Sequence, residues 1–258
     1  MTTLFKQELY KLIKRRSTWV CIVGIMLIAT LLAITSKLYP QHFIPRELFV
    51  SNYAADTFVA LLLIGSAASI ISSEYQYNTM KNIVCQIHSR PKILLAKWLL
   101  LFTYSMFLYL WFSGFAYFNK VIFFRNDYSL TSLLRNQKTS LWEYWIETIF
   151  SNFLTTWLVL SVVLLISALF KKSNLAITVG VVGYFAITII GKVTAQLIQR
   201  WHFLKWNPIN LLNYSAQIAQ PAMQKITGLN LDQLFVGNLI YIILFMIVGM
   251  WLFSNKEI

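Results

Sequence analysis

Long apolar runs separated by short polar segments extend along nearly the whole chain: Trp19 to Thr35, Ala54 to Ser73, Trp98 to Phe118, Ile149 to Phe170, Leu175 to Ile190 and Leu234 to Phe253. A helix needs about 20 mostly apolar residues to cross the hydrocarbon core of a bilayer, and these six runs reach or approach that length. The fifth is the shortest; it spans only by continuing past Lys192 toward Leu197, with the lysine stem reaching to the interface. None alternates in the ten-residue segments of a transmembrane strand. The pattern predicts an all-α integral membrane protein with six transmembrane helices in a single domain over residues 1–258. The first run exceeds the apolar core of a signal peptide, and Ser36-Lys37-Leu38 is a poor cleavage site, so it is expected to remain as a span. Ahead of it, Leu4, Phe5, Leu9, Leu12 and Ile13 fall on one side of a helix and Lys6, Gln7, Lys11, Lys14 and Arg15 on the other. Residues 2–16 are therefore expected as an amphipathic interfacial helix in the headgroup plane.

Composition agrees with a lipid environment: 58% of residues are hydrophobic and 12% charged, against roughly 45–50% and 25% in soluble domains. The formal net charge of +13 does not point to nucleic acid, because the basic residues flank apolar runs instead of forming a soluble basic face. With the amino terminus placed in the cytoplasm, twelve of the 22 Lys and Arg residues fall on inner segments little more than half as long as the outer ones. That bias predicts a multi-pass protein of a bacterial plasma membrane with both termini cytoplasmic and membrane lipids as neighbours.

Candidate chemistry is sparse. His42, His88 and His202 lie in separate segments without metal-ligand spacing, Cys21 and Cys85 are far apart, and no phosphate-binding Gly-x-x-x-x-Gly-Lys-Ser/Thr motif occurs. No enzymatic activity, metal or bound cofactor is expected. Asp56 and Glu147 sit at the ends of spans, where they are expected as solvated interfacial carboxylates, with substrate contact as the alternative. Gly65, Ser69 and Ser73 recur every four residues in the second span, and Gly180 and Gly183 lie in the fifth, a pattern for close helix approach. Thr57, Ser66, Ser69, Asn152, Thr155 and Thr156 place polar groups within the spans, where a lone hydroxyl more often bonds its own backbone. The segment Gly191 to Gln233 mixes amides with Trp201 and Trp206, which suits short helices at the membrane interface.

The polar segment from Glu74 to Lys97 carries most information about function. Tyr77, Met80, Val84 and Ile87 recur on one helical face, predicting an amphipathic stretch at the membrane surface on which a partner docks. Glu74 closing a span, Asn78-Thr79-Met80-Lys81, Ser89-Arg90-Pro91 and a lysine-bearing approach to the next span resemble the cytoplasmic loop of type-2 ABC exporter permeases. The basic start with Phe5, Glu8 and Lys11-Leu12, and Arg15-Arg16-Ser17-Thr18 before the first span, extend the resemblance along the chain. One position departs: Asn78 stands where a glycine often precedes the threonine, so the turn is expected to continue as helix.

The resemblance implies that the loop over 74–97 couples to a separate ATPase through Glu74, Tyr77, Thr79, Met80, Lys81, Val84, Ile87 and Arg90. A second coupling turn is implied at Lys171, Lys172, Ser173 and Asn174, and a dimer seam or pathway at Gly65, Ser66, Ser69, Gly180 and Gly183. It further implies substrate contact at Trp201 and Trp206, pairing with a second permease copy or a sister permease, and ATP and Mg held on the partner subunits. Within the family the sequence is similar to small permeases for peptide antibiotics, including lantibiotic-immunity and bacitracin-resistance types, which implies export of an amphipathic antimicrobial peptide or lipid-like antibiotic. A secondary transporter or channel not coupled to ATP is the alternative reading.

Overall fold

The six apolar runs fold as six long helices in the computed structural model of the protein, which describes residues 2–77, 90–132, 139–167, 169–170 and 172–255; the fourth starts before its run and stops at Ser167, short of Phe170. The short amphipathic α1 (Thr2–Lys14) is followed by α2 (Arg16–Leu38), a short α3 (Pro45–Val50) and α4 (Ala55–Gln76). Next come α5 (Arg90–Phe123), α6 (Leu141–Ser167) and α7 (Ser173–Arg200). Three short helices, α8 (Pro208–Leu211), α9 (Tyr214–Ala219) and α10 (Gln224–Thr227), lead to α11 (Leu231–Asn255). Six helices among the described residues are long and apolar enough to cross a membrane.

Hydropathy marks only the part of a helix that needs lipid, while backbone hydrogen bonding continues wherever the ends are capped. Ser140 and Glu143 form a reciprocal capping box: Ser140 N donates to Glu143 Oε2 at 2.8 Å and Glu143 N to Ser140 Oγ at 3.3 Å. They start α6 eight residues before the expected Ile149. Helix α7 does continue past Lys192, ending at Arg200. The loop expected over 74–97 is shortened from both sides, since Glu74–Gln76 belong to α4 and residues 90–97 to α5. With 34 residues, α5 is about 51 Å long against a hydrocarbon core of about 30 Å, so it projects beyond the apolar layer.

Helix α4 is the hub, packed by α2, α5, α6 and α7, while α11 lies against α6 and α5. The most apolar windows of α4, α5 and α6 are more than half buried, whereas less than a third of those of α2, α7 and α11 is buried. Val20, Val23, Leu27 and Leu31 on α2 and Ile240, Ile243 and Ile247 on α11 face outward. Such ridges suit lipid chains or another apolar protein surface.

Candidate functional site

Two polar centres lie at opposite ends of α4. At the α1 end, Lys97 of α5 is completely buried, and its ammonium uses all three donors. It donates to Glu74 Oε1 at 2.7 Å, to the Ile70 carbonyl at 2.9 Å and to Glu8 Oε2 at 3.3 Å. Lys11 Nζ lies 2.6 Å from Glu8 Oε1 and 3.7 Å from Glu74 Oε1. Two carboxylates and two ammonium groups thus form a neutral cluster joining α1, α4 and α5. Burial raises the pKa of Glu8, but the Lys97 and Lys11 charges and hydrogen bonds outweigh it and hold the carboxyl below its ordinary value. Helix α1 is therefore more than a surface float: Leu4 and Glu8 are both buried, four residues apart on the face turned to the bundle.

The other centre lies at the amino end of α4. Asn52, Tyr53 and Ala54 have φ of 50°, 52° and 61°, a left-handed turn that Asn tolerates better than Tyr or Ala. The turn is held by side chains. Asn52 Nδ2 donates to Asp56 Oδ1 at 2.8 Å and its Oδ1 accepts from Trp145 Nε1 at 2.9 Å. Asn152 Nδ2 donates to Asp56 Oδ2 at 2.8 Å. Asp56 is consequently only 7% exposed, which corrects the expectation of a solvated interfacial carboxylate; Glu147, by contrast, is exposed. Apolar spacing cannot show that the preceding turn folds back beneath α6 and encloses Asp56.

Asp56 opens onto a cavity of about 620 Å³ bounded by α4, α5, α6, α7 and the short helices before α11. Its polar wall includes Tyr109, Asn152, Thr155 and Thr156; Tyr109 Oη lies 2.8 Å from Thr156 Oγ1. Val159, Ile187, Ile209 and Leu212 make the remainder largely apolar. The Asn207 side chain starts α8 by accepting from Ile209 N at 2.8 Å, and Asn210 Nδ2 donates to the Lys205 and Thr227 carbonyls. These bonds fix the loop that closes the cavity.

The remaining expected positions distribute as follows. Glu74 is in the ion cluster and Tyr77 is exposed at the end of α4. Thr79, Met80, Lys81, Val84, Ile87 and Lys171 lie outside the described residues; Arg90 begins α5. Ser173 N donates to Gln76 Oε1 at 3.0 Å, so the turn at Lys172, Ser173 and Asn174 meets the end of α4 directly. Gly180 packs tightly: a Cβ there would lie 3.1 Å from Ile64 Cγ2 and 3.4 Å from Val163 Cγ1. Ser69 is buried and accepts from Arg15 Nη1 at 3.2 Å, while Gly65 and Ser66 line a groove between α2 and α4 and a Cβ on Gly183 would meet open space. The five small residues therefore serve different surfaces. Trp201 and Trp206 are exposed and do not line the cavity; Asn213 and Met223 of the same segment do.

Glu8, Lys97, Asn52 and Tyr109 are the participants that sequence reasoning missed. Glu8 carried a signal, lying four residues from both Leu4 and Leu12, so that a carboxylate falls on an otherwise apolar stripe and requires a countercharge. Lys97, next to Ala96 and Trp98, carried a weaker one.

Comparison with known proteins gives one family match: a model described as ABC-2 family transporter protein matches residues 4–188, from α1 into α7. No curated protein matches the chain.

Proposed function

This chain belongs to the ABC-2 transporter family, and on that premise we propose that it is the membrane-spanning subunit of an exporter driven by ATP hydrolysed on separate ATPase subunits. Those subunits hold the ATP and Mg; this chain contributes docking turns, levers and a substrate path. The α1 end faces the cytoplasm of a bacterial cell, with both termini on that side. The cargo is an amphipathic antimicrobial peptide or a lipid-like antibiotic.

The observation that carries the reading is the hydrogen bond from Ser173 N to Gln76 Oε1 at 3.0 Å. It links the two turns expected to meet the ATPase, one after α4 and one before α7. Force applied to the 78–89 segment enters α4 beside the cluster that locks Glu74 to Lys97 and Glu8. Helix α4 therefore moves together with α1 and α5 at this end. Helices α4 and α5, with α6 and α7, bound the cavity at the other end, so displacement of α4 against α7 would change its shape. Nucleotide would bias two arrangements only through contacts that differ between them. A second copy or sister permease would cover apolar faces near Gly65, Ser66 and Gly183.

Co-purification tests the reading. The chain expressed with its ATPase subunit should retain it, and Met80→Asp with Val84→Asp should release it, because unpaired charge in the interface costs several kcal/mol. Retention of the ATPase with unchanged ATP turnover in that variant would reject the docking assignment. Transport that persists without any ATPase would favour the ATP-independent alternative.

A further inference from the structure

Building on this transport reading, we propose that the cavity at the amino end of α4 binds the cationic group of an amphipathic substrate, with Asp56 as the counter-ion. Both carboxylate oxygens accept amide hydrogen bonds, from Asn52 and Asn152, and the side chain begins the first turn of α4, where the helix dipole favours negative charge. No cationic side chain among those described pairs with it, unlike Glu8 and Glu74 at the other end. The carboxylate is placed in a cavity of about 620 Å³, large enough for a drug-sized molecule.

The wall chemistry fits a molecule with one charged head and an apolar body. Near Asp56, Thr57, Asn152 and Thr155 supply oxygens, and Tyr109 and Tyr184 contribute aromatic rings whose faces attract cations. Away from it, Ile187, Ile209, Leu212 and Met223 offer apolar surface. A positive group would meet Asp56 where little water screens it, so charge sign should discriminate strongly. An anionic molecule of the same shape would meet uncompensated repulsion.

The test uses two ions of nearly equal size and opposite charge, tetraphenylphosphonium and tetraphenylborate, in equilibrium dialysis against the purified full chain in maltoside micelles, with empty micelles as the blank. The wild-type protein should bind the phosphonium saturably at one site, and the borate, dialysed in a separate experiment, should show no saturable binding. Asp56→Asn, which keeps the side-chain shape, should weaken phosphonium binding by at least about tenfold; Asp56→Glu should restore most of it. Thermal unfolding confirms that each variant is folded, and the comparison of the two ions in wild-type protein stands even where a variant is not. Equal binding by Asp56→Asn, equally saturable binding of the borate, or no saturable phosphonium site would overturn the proposal. ATPase association is read separately: its loss with charge-selective binding intact refutes the transport reading alone, and its retention without such binding refutes the cation site alone.

Discussion

Helix α4 carries a buried carboxylate near each end, and the two are satisfied by opposite means. Glu74 meets the Lys97 ammonium in a cluster of two acids and two bases drawn from three helices. Asp56 is held by neutral amides and opens onto a cavity. The first arrangement closes its charges on one another and makes a clamp; the second holds a charge with neutral donors beside a cavity, which is the arrangement the proposed cation site uses.

Breaking the clamp should have the largest effect. Lys97→Met leaves Glu8 and Glu74 buried together without their shared cation, and about 3–5 kcal/mol of stability should be lost, read as a lower unfolding temperature in detergent. Adding Glu8→Gln and Glu74→Gln should recover much of that loss, since no charge then stays buried unpaired. Recovery by neither exchange would mean that the cluster is not the joint. Acid should act in the same direction. The Glu8 carboxyl is held below its ordinary value in the folded protein, so its contribution is complete above the ordinary carboxylate range and disappears as the pH falls through the lowered value. The unfolding temperature of wild-type protein should therefore fall below about pH 4, and that of Glu8→Gln should fall less.

The amide-held end should respond more gently. Trp145→Phe removes the donor to Asn52 Oδ1 within the protein interior and should cost about 1–3 kcal/mol, measured by the same unfolding transition. Midway between the two centres, Gly180→Ala presses a methyl against Ile64 and should cost about 1 kcal/mol, whereas Gly183→Ala meets open space and should change stability by less than about 0.5 kcal/mol. Equal effects would show that the two glycines face comparable surroundings. One change is a gain: Ala54→Gly relieves a left-handed φ of 61° and should stabilise by about 0.5–1 kcal/mol. A loss instead would place the strain elsewhere in the turn.

Six membrane helices, the amphipathic α1 and the family resemblance could all be read from the chain, because lipid imposes a length and a hydropathy that neighbouring residues report locally. Trp19 to Thr35 announces a span whatever it packs against. The ends of α5 and α6 were less legible, since capping at Ser140 and the burial of Lys97 extend helices through residues that hydropathy assigns to loops. Only the tertiary structure decided that Asp56 is enclosed, that Gly180 and Gly183 face different surroundings, and that Gln76 meets Ser173 across 97 residues. It also decided that Glu8, Glu74 and Lys97 form one centre, the last two separated by 23 residues and the first from Lys97 by 89. The reason is physical: burial and ion pairing depend on which faces of distant helices meet, and a charged residue in sequence carries no mark of the partner that will neutralise it.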